Sequence, residues 1–127
     1  MLTEQSKQIL VSNLMSKIKD HLRKLPKHIR EVEVTEDWIY ETMENNNWGC
    51  PIMKVQFPSI PKGRISRAQY KQLGINKLKM ASVDRKDSSK GYTKENTQIV
   101  CRFLNLGKTD NPNEDALELL NEFKNSI

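Results

Sequence analysis

The sequence predicts a small α+β protein with a helical N-terminal part, a compact ββα unit and a closing C-terminal helix. Three observations carry this. Residues 3–25 place Leu10, Leu14, Ile18, Leu22 and Leu25 at spacings of three and four, one face of a helix. Residues 78–108 hold two short apolar runs around a turn-rich segment, followed by a helical pattern. Asn111-Pro112-Asn113-Glu114 reads as a helix start, and Ala116, Leu119, Leu120, Phe123 and Ile127 follow as its buried stripe.

In the first helix Ser12, Ser16, Lys19 and Arg23 face away from the stripe, and Pro26 is the stop. Val32-Glu33-Val34 is ambiguous. Thr35 is a good cap for a second helix, with Glu36 and Asp37 where the helix dipole favours acids and Trp38, Ile39 and Met43 facing the core. The Asn45-Asn46-Asn47 run ends it. Trp48 to Phe57 predicts a turn and a short strand, irregular at its start because of Pro51. Ser66 to Leu73 predicts a short helix stopped by Gly74. A strand follows over Leu78 to Val83, running into Asp84. Lys86 to Asn96 is a connecting loop with Ser88, Ser89 and Gly91 as turn residues. Gln98 to Cys101 reads as a second strand or the lead-in to a helix that Val100, Cys101, Phe103 and Leu104 pack down. No linker divides the chain, so 1–127 reads as one domain: 1–47 helical, 48–108 the ββα core with a basic insert, 109–127 the last helix.

With 36% hydrophobic and 29% charged residues, the 127-residue chain suits one wet-surfaced domain with a modest core. No apolar run approaches the roughly 20 residues of a membrane span. The start, MLTEQSKQILVSNL, lacks a signal pattern, so a cytoplasmic setting is expected. Cys50 and Cys101 are too few for a disulfide scaffold or a four-cysteine zinc site. They read as reduced, core-packing thiols that can pair only if the fold brings them together.

The net charge of +5 is unevenly spread. Residues 1–50 carry 7 basic and 8 acidic side chains, residues 51–108 carry 13 and 3, and residues 109–127 carry 1 and 5. Lys62, Arg64, Arg67, Lys71, Lys77 and Lys79 form a stretch without an acid. Such like charges repel one another unless an anion offsets them, so the stretch reads as a phosphate-binding surface, against the plainer reading of a solvated loop and helix. Tyr70 among them stacks on a base or faces the core.

The chemistry sits in Ala81 to Lys108. An Asp ending one strand and an Asn on a helix after the next strand can converge on a hard divalent cation such as Mg2+ or Mn2+, with phosphate and water completing the shell. Alone the pair is weak, because loop Asp and Asn residues are mostly caps and turn formers.

The run VDRKDSSKGYTKENTQIVCRFLNLGK resembles the HNH (ββα-metal) nuclease family, in the branch reading DR-x-D-x-x-x-GY-x-x-x-N-x-x-x-V-C-x-x-x-N-x-x-K. The likeness covers Ala81 to Lys108, with a weaker one over Trp48 to Phe57. It implies a metal-dependent endonuclease acting on DNA, or on RNA, from a phage or bacterial cell. By the same resemblance Asp84 and Asn105 are the metal ligands and Asn96 ties the loop. Asp87 shapes the turn, and Lys108 meets a backbone phosphate. The departure is Arg85, where the family pattern has the histidine that deprotonates water. Arginine stays protonated and cannot be that base, although it can clamp a phosphate. A base would then come from His21, His28, Tyr92 or the metal's own water. No structural zinc is expected, since the paired C-x-x-C frames are missing. The alternatives are a catalytically silent nucleic-acid-binding module and a small factor whose basic face meets an acidic protein.

Overall fold

The computed structural model describes residues 2–109 and 111–127 and has the predicted α+β class. Helix α1 runs over Glu4–Leu22, with the Thr3 hydroxyl accepting from the Ser6 amide at 3.1 Å. Its Leu10, Val11, Leu14 and Ile18 are buried. The helix ends before Pro26. Residues 23–25 turn over the last carbonyls, with Leu25 N donating to Leu22 O at 3.3 Å. A residue preceding proline is poorly suited to helix, and unwinding here lets Leu25 reach the core. Helix α2 spans Glu36–Asn45, capped by Thr35 as expected, and inserts Ile39 and Met43 fully into the core, while Trp38 stays half-buried.

Trp48 to Phe57 forms no strand. It is a curled hairpin with one bridge, Gly49 to Gln56, closed by Phe57 N donating to Trp48 O at 3.0 Å. Pro51 cannot donate to a ladder, and Trp48 and Lys54 take left-handed backbone at φ 56° and 59°, which bends the chain out of register. Helix α3, Arg67–Gln72, has a full capping box between Ser66 and Gln69 and ends at Gly74, whose φ is 70°.

The strand expected from Leu78 starts later. Lys77–Lys79 is a 3₁₀ turn because the Asn76 side chain accepts from Leu78 N at 3.0 Å, taking that amide out of any ladder. Strand β1 is Ala81–Arg85 and pairs antiparallel with β2, Thr97–Cys101. The register sets Asp84 opposite Gln98 and Arg85 opposite Thr97. Helix α4, Arg102–Lys108, follows β2 with no intervening loop and lies against β1. Two strands and a helix thus occur in the predicted order, with α1 packed on β1 beneath them.

Helix α5, Asn113–Ser126, corrects two expectations. Asn111 is not its cap; the Asn111 side chain donates to Lys108 O at 3.1 Å and belongs to the end of α4. Its stripe is mostly uncovered. Ala116 and Leu120 touch the core, but Leu119, Phe123 and Ile127 are exposed. Helix α4 is too short to cover a 14-residue neighbour and leaves its own Phe103 outside as well. No helix among the described residues is long and apolar enough to cross a membrane.

Candidate metal and phosphate site

The register of β1 against β2 builds the first half of the site. Asp84 is 6% exposed, and Gln98 across the ladder donates Nε2 to its Oδ2 at 2.7 Å. Lys108, three residues after Asn105 on α4, reaches the same oxygen from the other side, with Nζ at 3.3 Å. Sequence reading places Lys108 on a phosphate, and the fold corrects this. Its side chain is 1% exposed, and the ammonium is sealed from solvent with no geometrically sound hydrogen bond among the described residues. One turn of helix carries the residue inward, where it neutralises Asp84 instead of meeting a ligand.

Asn105 supplies the second half. Its amide nitrogen donates to Ser82 Oγ at 2.6 Å and Val83 O at 3.2 Å, which pins it to β1. A side-chain amide held by its nitrogen presents its oxygen elsewhere. Asp84 Oδ1 and Asn105 Oδ1 make no hydrogen bond among the described residues, and neither is sealed from solvent. Asp84, Arg85, Asn105, Tyr92 and His21 line one cavity of about 260 Å³.

Arg85 is only partly available. Its Nη1 donates to Ser88 O at 3.0 Å and Lys90 O at 2.9 Å, and the guanidinium lies 5.6 Å from the Tyr92 ring centre. One arm of the expected phosphate fork therefore holds the loop. His21 enters the cavity from α1, with Nδ1 and the Tyr92 hydroxyl in hydrogen-bond contact and the rings edge to face at 5.9 Å. Burial, aided by the charges of Arg85 and Lys24, holds the imidazole below its ordinary 6.5. Burial also raises the Tyr92 phenol above its usual 10.0. At neutral pH the histidine is thus uncharged and the tyrosine keeps its proton. His28 is exposed and does not line this cavity.

The loop behind the site is tied by Asn96. Its Oδ1 accepts from Asp87 N at 2.9 Å, and its Nδ2 donates to Asp87 O at 3.0 Å and Gly91 O at 2.9 Å. Asp87 folds back on Ser89, accepting from its amide at 2.9 Å and its hydroxyl at 2.6 Å, so it shapes the turn. Gly91 has no room for a side chain: a β-carbon there would stand 2.9 Å from Ile29 O, against the segment that follows α1. This close approach brings Tyr92 beneath His21.

Of the basic stretch, Lys62, Arg64, Arg67, Lys71 and Lys79 are exposed, while Lys77 is half-buried with Nζ 4.9 Å from the Tyr70 ring centre. Tyr70 is itself half-buried, lining a second cavity of about 440 Å³ with Lys17 and Arg64. Burial, with the charges of Arg102 and Lys77, holds Lys17 below the ordinary lysine 10.5. No carboxylate among the described residues lines that cavity. No local pattern in the sequence marks Gln98 or Lys17, because only strand register and helix packing bring them to these positions.

Cys50 and Cys101 are buried neighbours, with Cys101 Sγ 3.2 Å from Met53 Sδ and its thiol holding Cys50 below the usual 9.0. Comparison with protein-family models, curated proteins and solved structures gives no match to this chain.

Proposed function

We propose that this protein is a metal-dependent endonuclease that hydrolyses phosphodiester bonds in DNA. The observation that supports it is the pair of unused oxygens, Asp84 Oδ1 and Asn105 Oδ1, on two residues that line one cavity with Arg85. Two oxygen donors with room for water suit Mg2+ or Mn2+, which bind few protein groups and keep much of their hydration. When bound there, such an ion stabilises charge on the reacting phosphate and its leaving oxygen.

The chain's own groups then have separate tasks. Gln98 and Lys108 fix the Asp84 carboxylate, and the strand holds Asn105. Lys108 also offsets the Asp84 charge, so the cavity attracts a cation weakly until a phosphate enters with it. Arg85 contacts that phosphate with the nitrogens left free by the loop. Lys62, Arg64, Arg67, Lys71 and Lys79 track the backbone. Arg85 cannot accept a proton, so it has no part in activating water.

Incubation of supercoiled plasmid and single-stranded DNA with Mg2+, Mn2+ or EDTA tests this reading. Nicking that requires metal is the expected result. DNA that is bound but intact under every condition overturns it. That outcome favours the second reading, a silent DNA- or RNA-binding module on the same scaffold, which the neutralised Asp84 and the arginine at position 85 suit.

Binding by the basic stretch should weaken steeply with salt, log K falling by about 0.9 per phosphate neutralised for each unit of log salt concentration. Replacing Lys62, Arg64, Arg67 and Lys71 by Ala should flatten that slope in a titration by fluorescence anisotropy. An unchanged slope would remove these residues from the interface, and no binding at low salt would point instead to an acidic protein partner.

A further inference from the structure

We infer that His21, carried by α1 outside the ββα unit, is the general base that takes the proton from the attacking water. The inference rests on the nuclease reading and supplies the group that Arg85 cannot be.

Each group lining the cavity bears on which of them can take a proton. Arg85 holds its proton at any working pH. The buried Tyr92 phenol keeps its own proton. Asp84 is occupied by Gln98 and Lys108 at one oxygen, and its other oxygen is the one the nuclease reading gives to the metal. Asn105, Ser88 and Thr109 are not bases near neutrality. Among the described residues that leaves His21 as the one lining group that accepts a proton in the physiological range.

Its setting matches the task. A base must be neutral before the reaction and must point a lone pair at the water. Burial and the neighbouring Arg85 and Lys24 keep the imidazole neutral, and Asp84 is the acid on the cavity wall among the described residues. The contact between Nδ1 and the Tyr92 hydroxyl fixes the ring. With Nδ1–H donating to that hydroxyl, Nε2 carries the lone pair. A hydroxyl both donates and accepts, so the contact persists when the ring becomes imidazolium. Tyr92 is thus a positioning residue.

In the step itself a water O–H bond breaks and its proton goes to Nε2. The oxygen forms the new P–O bond. The ester P–O bond breaks, and the leaving oxygen departs with that electron pair and takes a proton from solvent.

Two measurements test this. In the metal-free protein, 15N NMR of the His21 ring should show Nδ1 protonated and Nε2 bare at neutral pH, with titration below 6.5. Tyr92→Phe should scramble that tautomer. A ring protonated at Nε2 in the neutral form overturns the assignment. In the nicking assay His21→Ala should lose about 10²-fold or more in rate, without losing DNA binding. Added imidazole should restore cutting in proportion to its concentration. The rise in wild-type rate with pH, as His21 loses its proton, should vanish in the variant. His21→Gln, which keeps the bulk, serves if Ala disturbs α1.

If wild type does not cut, the nuclease reading falls and this inference with it. If wild type cuts and His21→Ala cuts as fast, only the base assignment falls. A folded, DNA-binding His21→Ala that loses rate and gains nothing from imidazole makes His21 structural and also overturns it.

Discussion

Asp84→Ala is expected to lower stability by about 3–5 kcal/mol, besides removing metal-dependent cutting. The carboxylate is the buried counter-charge of the Lys108 ammonium at 3.3 Å, and nothing else among the described residues bonds that nitrogen. Removing it leaves a cation sealed inside the protein with no partner among the described residues. Lost activity in Asp84→Ala alone would therefore not separate a missing ligand from a loosened fold.

The double variant Asp84→Ala/Lys108→Met separates them. Replacing a buried ion pair by apolar groups of similar size is often neutral or stabilising. Urea melts should place the double variant well above Asp84→Ala and close to wild type. Plasmid nicking should remain absent in both. A double variant as unstable as Asp84→Ala would mean that Lys108 is not the orphan responsible. Cutting by a folded double variant would remove Asp84 from the chemistry.

Asn96→Ala is the second large effect, with an expected loss of about 2–4 kcal/mol. One side chain satisfies the amide of Asp87 and the carbonyls of Asp87 and Gly91. Buried polar groups left unpaired cost about 1–3 kcal/mol each, less where water can replace the partner. Gly91 is buried, whereas the loop around Asp87 is exposed, so the penalty falls mostly on the Gly91 carbonyl. Asn96→Asp should be no milder, because its carboxylate would face two carbonyl oxygens in place of two N–H donors. Hydrogen exchange gives the local readout: the Asp87 amide should lose protection in Asn96→Ala, whose side chain offers it no acceptor. Retained protection together with wild-type stability would show that the loop holds without this tie.

The consequence for the site is direct. The same loop carries Tyr92, which contacts His21, and supplies the two carbonyls that hold Arg85. Loosening it should free the Arg85 arm and unfasten the histidine together.

Signals carried by neighbouring residues account for most of the helices and their ends. Thr35 caps α2 as expected, and Thr3 and Ser66 do the same for α1 and α3, since a hydroxyl accepting from a nearby amide needs only its neighbours. The order of the two strands and the helix was legible from the apolar runs and the turn residues between them, whereas Asn96 as the loop's tie came only from the resemblance. Tertiary structure decided what depended on distance across the fold. Lys108 turned inward to Asp84 because helix α4 docks on β1. The stripe on α5 stayed largely uncovered because its neighbour is short. His21 met Tyr92 across 71 positions because Gly91 allows the loop to close on the segment after α1. Capping, turn and periodicity signals reach a few residues along the chain, whereas a buried ion pair or a cavity wall exists only after distant segments pack.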